Sequence, residues 1–267
     1  VPIRVELARA NDRQLRVGGG VLIETGKQDV HVSGDFEHVN LFNRLVRLGW
    51  ENRVGYTTLA QVGDIGTDGV SAITKYSGPT IDSTLTVTIP RFPSRRWTVG
   101  TELNFEMGVE QGYKYTSQGL GPSIQGRLTD RLSLDLGYNL VLFQFRDLTL
   151  DPSEYSNTAL GLDFVERYML TYLRQGITWD DRNDMFAPTR GQYARYEVAE
   201  ASRYLGGDFN YVRMKGDHRF YFSLKRLLGK SLRGTLATRL GGGLIQTYGD
   251  ENYALVPTSE RLYLGGS

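Results

Sequence analysis

The chain contains no cysteine among its 267 residues. A disulfide framework, a thiolate metal cluster and thiol catalysis are therefore excluded. The chain also lacks any run of about 18 apolar residues, the length that a transmembrane helix needs. Neither sign of charge dominates, because 31 basic and 30 acidic residues leave a formal net charge of +1. The sequence contains no basic block, so we do not expect electrostatic binding of nucleic acid or anionic lipid to be the main function of the protein.

Helical periodicity is almost missing, and proline is scarce at 8 residues, whereas glycine is abundant at 32. The period that recurs is two, which is the alternation of a β-strand. Leu15 and Val17, for example, share one face while Arg16 lies on the other, and the same alternation recurs in residues 46–56 and 97–109. The sequence therefore predicts an all-β protein.

The alternating segments are about 10 residues or longer, whereas strands of soluble sandwiches usually have about 5–6 residues. Aromatic residues lie on the apolar face: Trp50, Tyr56, Trp97, Tyr138 and Trp179. Long strands with an apolar face and aromatic girdles are typical of membrane-spanning barrels. The mean hydropathy of −0.35 is compatible with this, because the inward half of such a strand can be polar. We predict a transmembrane antiparallel β-barrel, with a soluble β fold as the alternative.

The connections between the predicted strands differ in length. The strands are expected near 13–25, 28–40, 44–58, 82–92, 96–109, 114–128, 131–147, 168–182, 190–202, 207–224 and 230–247. Every even-to-odd connection is short (NLFNR, FPSRR, TDR, MFAPTR and KRLLGKS), whereas two odd-to-even connections, 60–81 and 149–167, are long and polar. Outer-membrane barrels have short periplasmic turns and longer outer loops. The chain is therefore expected to begin on the periplasmic side.

A count of about eleven strands is odd, whereas single-chain bacterial barrels have even counts and a half-closed sheet would expose an edge to lipid. We therefore expect the C-terminal strands to be absent from this sequence, which would make the chain a fragment. A second chain that completes the wall is the alternative.

The stretch TWDDRNDMFAPTRGQY, residues 178–193, is the most motif-like in the sequence. Its clustered Asp, Asn and Arg residues could belong to a metal site, but they lack the spacing and the terminal Glu of a calcium loop. At turns, Asp and Asn more often accept hydrogen bonds from nearby backbone N–H groups. We expect a turn into the ninth strand, with no metal or other cofactor.

Two motifs give the chain a resemblance to the BamA/TamA-type family of outer-membrane protein assembly factors, which carry periplasmic POTRA domains before a barrel. One is this turn, in which Asp180, Arg182, Pro188 and Gly191 match the family pattern. The other is the approach to the sixth outer loop: Arg261, Leu262, Tyr263, Leu264, Gly265 and Gly266. The resemblance implies a 16-stranded barrel. Residues 1–10 would be the end of the last POTRA domain or a linker, and 11–267 an incomplete barrel ending in the sixth loop.

The resemblance also implies a function. Family members help β-barrel proteins to fold and insert by pairing nascent strands at a lateral seam. The seam edge would be the first strand: Gln14, Leu15, Arg16, Val17, Gly18, Gly19, Gly20, Val21, Leu22, Ile23 and Glu24. Two interpretations of its three glycines stay open, namely a weakened strand that permits bending or relief of barrel curvature.

Charged residues on the inner face are expected mainly to line a hydrated lumen. A functional alternative is that Arg219 and Arg239 dock the folded-back tip of the sixth loop. The expected partners are unfolded outer-membrane proteins, the lipid bilayer and accessory assembly subunits, with no nucleic acid. The expected location is the outer membrane of a Gram-negative bacterium or, alternatively, of an organelle.

Three other functions compete with insertion. An outer-membrane hydrolase is disfavoured because the chain has only three histidines, and neither His38 nor His218 has an obvious Ser partner, so we expect no enzymatic activity. A passive porin or receptor would share the barrel but would lack the POTRA remnant and the sixth-loop motif. A two-partner-type polypeptide exporter shares the architecture and stays open.

Overall fold

The computed structural model describes residues 11–24, 27–59, 77–110, 113–148, 167–224, 234–249 and 256–257. Eleven β-strands account for most of them. They are β1 Arg13–Glu24, β2 Lys27–Leu41, β3 Val46–Thr58, β4 Ser77–Pro90, β5 Trp97–Glu110, β6 Tyr113–Arg127, β7 Leu132–Leu148, β8 Arg167–Asp180, β9 Gly191–Ala201, β10 Tyr211–Ser223 and β11 Thr235–Thr247. The predicted periplasmic remnant, residues 1–10, lies outside the described residues.

All eleven strands form one antiparallel sheet in the order of the sequence, from β1 to β11. Each strand pairs with its neighbours along the chain, so the sheet is a continuous meander. The predicted fold class, an all-β antiparallel sheet of eleven strands, is confirmed. The described residues include no helix that is long and apolar enough to span a membrane.

Three strand starts differ clearly from the prediction. β11 is described from Thr235 rather than 230, and residues 230–233 lie outside the described residues. β4 begins at Ser77 rather than 82, because residues that looked like a turn continue the ladder, with Pro79 opposite Tyr56 and Ser77 opposite Thr58. β10 begins at Tyr211 rather than 207. A single 3-10 turn, Arg203–Leu205, precedes it and ends at Gly206, whose φ of 95° suits glycine.

The alternation places apolar and charged side chains on opposite faces of the sheet. The outer face carries exposed apolar side chains, such as Val17 at 75% exposure and Ile23 at 78%. The inner face carries the charged residues that the sequence assigned to it: Arg16, Asp35, Glu37, Arg47, Glu51, Arg53, Glu102, Glu106, Arg127, Asp135, Arg174, Arg195, Glu197, Lys215, Asp217, Arg219 and Arg239. Arg233, the other charged residue predicted to face inward, lies outside the described residues. The predicted facing of the strands is confirmed.

The buried core lies on the inner face, at the end of the sheet that carries the longer connections. Leu170, Ala201, Phe209 and Tyr211 form a buried cluster. Stacked and edge-on rings extend it along β6, β7 and β8: Tyr113, Tyr115, Phe143, Phe145 and Tyr168. This part of the inner face is therefore apolar and packed.

Candidate functional site: the edge of β1 and the inner face

β1 forms one edge of the described sheet. It pairs with β2 along its whole length, from Arg13 opposite His38 to Glu24 opposite Lys27. No described strand pairs with its other side. The predicted seam, residues 14–24, thus lies along an edge whose outward backbone groups have no strand partner in the described part of the chain. An edge of this kind can accept an additional strand.

The glycines of β1 leave space for side chains of β2. A Cβ added to Gly20 would lie 2.9 Å from Cε1 and Nε2 of His31. A Cβ on Gly18 would lie 3.0 Å from Oγ of Ser33. Both distances are shorter than ordinary van der Waals contact. Besides the two interpretations drawn from the sequence, these glycines therefore have a packing role, which is to accommodate the neighbouring strand's inner-face side chains.

The His31 ring belongs to a polar cluster on β2 and β3, which we call the Asp29 cluster: Asp29, His31, Arg53 and Thr57. The Asp29 carboxylate is 3% exposed. It accepts hydrogen bonds from Arg53 Nη2 at 2.5 Å and from Thr57 Oγ1 at 2.9 Å. His31 Nδ1 lies 2.6 Å from Asp29 Oδ1 and 3.0 Å from Arg53 Nη2. The cluster anchors β2 to β3 directly behind the edge strand.

The Asp29 cluster was not predicted from the sequence. The alternation predicts that Asp29, His31, Arg53 and Thr57 share the inner face, but their contacts depend on the register of β2 against β3. In that register Asp29 lies opposite Thr57, and His31 lies opposite Gly55. Gly55 also leaves room for the histidine, because a Cβ there would lie 2.9 Å from His31 Cβ. Gly20 and Gly55 on the two flanking strands were the signals that could have revealed it.

Arg219 and Arg239, the predicted loop-docking residues, share one carboxylate. Arg219 Nε donates to Asp217 Oδ1 at 2.7 Å, and Arg239 Nε donates to Asp217 Oδ2 at 2.6 Å. The Arg219 guanidinium also lies 5.3 Å from the centroid of the Tyr193 ring, a cation–π distance. The Arg239 side chain stays 67% exposed. The structure brings both arginines together, and their contact with the sixth loop stays a prediction.

A second inner-face network crosses three strands. Arg195 Nη1 on β9 lies 3.2 Å from Asp135 Oδ1 on β7. This ion pair spans β8, where Gly176 offers no side chain, since a Cβ there would lie 2.4 Å from Asp135 Oδ1. Arg195 Nη2 also lies 3.4 Å from Glu197 Oε2. These partly buried pairs agree with the expectation that mixed charges line the wall.

Part of the segment after β11 packs against the inner face. The sixth-loop motif, residues 261–266, lies outside the described residues, but Val256 is described and packs against the buried cluster around Leu170 and Tyr211. Ile245 of β11 packs against the same cluster. The chain that follows β11 therefore returns to the inner face at Val256.

The predicted turn motif is held by hydrogen bonds within itself. Arg182 donates two hydrogen bonds to the Asp180 carboxylate, from Nε to Oδ1 at 2.9 Å and from Nη2 to Oδ2 at 2.7 Å. Asn183 Oδ1 accepts from the backbone N–H groups of Thr189 and Arg190 at 3.0 and 2.9 Å. The next strand starts at Gly191, whose φ is 100° and whose added Cβ would lie 2.5 Å from Asp181 O.

The electrostatics of this turn fit a structural role. The hydrogen bond from Arg182 to Asp180 raises the pKa of the Arg182 guanidinium. Backbone N–H groups of Ala187 and Phe186 lower the pKa of Asp184. The Asp and Asn side chains therefore accept backbone and guanidinium donors, as the sequence predicted. Within the described ranges, no group of three or more His, Asp or Glu side chains is placed to hold a metal ion.

Comparison with known proteins identifies the family. Residues 68–267 match the model of the Omp85 superfamily domain. The fold is similar to a crystal structure of BamA from Haemophilus ducreyi lacking POTRA domains 1-3, with a TM-score of 0.60 and 15% sequence identity. That similarity covers 90% of this chain and 42% of the BamA chain, so the chain spans less than half of it. No curated protein sequence matches. Because the domain match covers most of the chain, the protein belongs to the Omp85 superfamily.

Proposed function

We propose that this protein is an outer-membrane insertase, which helps β-barrel proteins to fold by pairing their strands with the edge of β1. The observation that carries the proposal is the position of residues 14–24 at an edge of the described sheet, in a chain of the Omp85 superfamily. The proposed location is the outer membrane of a Gram-negative bacterium, with an organelle outer membrane as the alternative. Accessory assembly subunits are proposed partners, and the proposed role requires no catalytic residue.

The chemistry of a nascent barrel strand explains why such an edge is useful. Each backbone N–H or C=O group left without a partner in hydrocarbon costs several kcal/mol. β1 offers a ladder of backbone groups to which an incoming strand can add. Its outer face carries Leu15, Val17, Val21 and Ile23, so the paired edge keeps an apolar surface towards lipid. The glycines at 18–20 add no side chain that would obstruct or lock a new partner.

The inner face argues against a passive pore. A porin lumen is polar and filled with water, whereas here aromatic rings cover the inner face at one end, with Phe143 stacked between Tyr115 and Tyr168. Val256 packs against the adjoining cluster. An apolar patch at one end of the inner face, with Val256 packed against the adjoining cluster, supports an assembly role over open diffusion.

Site-directed crosslinking tests the proposal. The given 267 residues contain no cysteine, so single cysteines at Leu15, Val17, Val21 and Ile23 have no background from this part of the protein. Each variant is combined with a stalled outer-membrane substrate that carries one cysteine in its last strand, because disulfides form only where Cα atoms approach within about 7 Å. Substrate adducts are expected at β1, and sliding the substrate cysteine by two residues should shift the reactive β1 position.

Matched outer-face positions on β5, namely Val99, Leu103 and Phe105, are the control, since this strand is paired on both sides. Equal adduct yields on β1 and β5 would refute the strand-pairing role. Repeating the experiment with a soluble secreted chain separates insertion from export: adducts with that chain and none with the barrel precursor would favour the two-partner-type exporter.

A further inference from the structure

Unpaired arginines collect at the end of the sheet that carries the short turns. Seven exposed arginines lie in or next to the four described turns: Arg44, Arg91, Arg95, Arg96, Arg127, Arg131 and Arg190. None of them forms an ion pair within the described part of the chain. Arg96 is anchored, because its Nη1 donates to the backbone oxygen of Leu128 at 3.0 Å. Their charge is therefore open to solvent or to an external partner.

The same four turns expose large apolar side chains at their tips. Phe42 is 78% exposed, Phe92 57%, Leu128 42% and Phe186 99%. Met185, beside Phe186, is 70% exposed. Each described short turn thus places at least one bulky apolar side chain in the same few residues as one or more arginines. A single exposed apolar residue needs no explanation, but its recurrence at every described short turn indicates a common surface.

The charge of the two ends of the sheet differs in sign. Residues 42–45, 91–96, 128–131, 181–190 and 224–234, which make the short connections, contain 11 basic and 3 acidic residues. Residues 25–26, 59–76, 111–112, 149–166 and 202–210, which make the opposite connections, contain 2 basic and 7 acidic residues. The basic residues are spread over five separate connections, of which the structure describes four, so the sequence shows no basic block. The antiparallel order of the strands places these connections at one end of the sheet.

We propose that the short-turn end binds the anionic phospholipid headgroups of the membrane leaflet that it borders. Clustered basic residues next to apolar side chains are the combination that binds anionic membrane surfaces. The arginines would contact phosphate groups, and the Phe and Leu tips would enter the boundary between headgroups and acyl chains. An acidic protein face would account for the arginines but not for an apolar tip at every described short turn.

Arg91, Arg95, Arg96 and Arg127 also line one open cavity between the β4–β5 and β6–β7 turns, together with Asp130 and the inner-face residues Thr98 and Gln125. This cavity faces inward, so the proposed lipid contacts are those of the exposed turn tips. The proposal depends on a membrane setting and not on strand pairing at β1, so the two proposals can fail separately.

Lipid retention tests this inference. The full-length protein is placed in nanodiscs of phosphatidylethanolamine with one quarter phosphatidylglycerol, and retained lipids are counted by native mass spectrometry. The test variant replaces one unpaired arginine in each turn: Arg44→Gln, Arg95→Gln, Arg131→Gln and Arg190→Gln. Each basic residue near an anionic surface strengthens binding about fivefold. Retention of phosphatidylglycerol should therefore fall at least about tenfold, even after screening by salt.

The matched control replaces four exposed basic residues at the opposite end: Lys27→Gln, Arg146→Gln, Arg167→Gln and Arg203→Gln. It removes the same charge and should retain phosphatidylglycerol like the wild type. A further variant that combines Phe42→Ser, Phe92→Ser and Phe186→Ser should also weaken the retention of phosphatidylglycerol, although it keeps every arginine. Equal retention by the test and control variants would overturn the inference. So would retention of zwitterionic phosphatidylethanolamine by the wild type in proportion to its share of the nanodisc lipid, or the loss of a bound protein subunit without any loss of lipid.

Discussion

Substitution of Gly20 by alanine should destabilise the barrel through His31, although alanine usually suits a strand better than glycine. The new Cβ would lie 2.9 Å from the His31 ring, where ordinary contact begins at 3.4 Å. The ring must therefore retreat by about 0.5 Å, which lengthens its 2.6 Å contact with Asp29. A hydrogen bond to a charged group contributes about 1.5–3 kcal/mol. Partial loss, at a ring with a 21% exposed side chain, should cost about 1–1.5 kcal/mol.

Gly49→Ala is the matched control, because a Cβ there meets nothing within 4 Å on the same inner face. It should stabilise the protein by about 0.5–1 kcal/mol, the usual advantage of alanine over glycine in a strand. Urea unfolding in detergent micelles, followed by tryptophan fluorescence, measures both variants. The unfolding free energies of Gly20→Ala and Gly49→Ala should differ by about 1.5–2.5 kcal/mol.

A double-mutant cycle decides whether His31 is the cause. In a His31→Ala background the ring is gone, so Gly20→Ala should become neutral or stabilising. If the cost of Gly20→Ala stays unchanged in that background, or if Gly20→Ala is as stable as Gly49→Ala, then the glycine does not accommodate the histidine. The packing role of Gly20 would then have to be abandoned.

Three further predictions follow from the other contacts. Asp29→Asn should lower the unfolding free energy by about 2 kcal/mol, because it removes the charge that Arg53 and His31 contact. Asp35→Asn should be close to neutral in the same urea titration. Equal losses of unfolding free energy in the two variants would contradict this. The pKa of Asp184 is lowered by its hydrogen bonds from backbone N–H groups. Its stabilisation of the turn is therefore present above its unfolded-state pKa and is lost as the pH falls through its folded-state pKa. An NMR titration midpoint at or above 3.8 would contradict these hydrogen bonds. Val256→Asp should increase proteolysis after β11, because a charge would then face the apolar cluster, and unchanged cleavage rates would contradict that packing.

The sequence predicted the strands well because alternation and turn chemistry are local. Trp50, Tyr56, Trp97, Tyr138 and Trp179 all lie on the outer face, as expected. The start of β4 was wrong because Ser77–Ile81 contains Gly78 and Pro79, which usually mark a turn. Pairing with β3 keeps this segment in the sheet despite its local preference.

The contacts of the candidate site were harder to predict from the sequence, because they depend on the register of the strands. The edge position of β1 follows from strand order, but the contact of Gly20 with His31 requires knowing that these two residues lie opposite each other. The shared use of Asp217 by Arg219 and Arg239 likewise requires Arg219 to lie opposite Arg239. A shift of one residue would move each of these side chains to the other face. Alternation alone gives the face of a residue, whereas the register gives its partner.

The meander order of the strands bears on how this protein is itself made. Because every described strand pairs only with its neighbours in the chain, each hairpin can add to the sheet as soon as it emerges, without waiting for a distant segment. Contacts between near neighbours in sequence favour rapid folding. At each stage, however, the newest strand presents an open edge to its surroundings. A protein proposed to shield such edges in its clients therefore exposes an edge of its own each time one of its described strands is added.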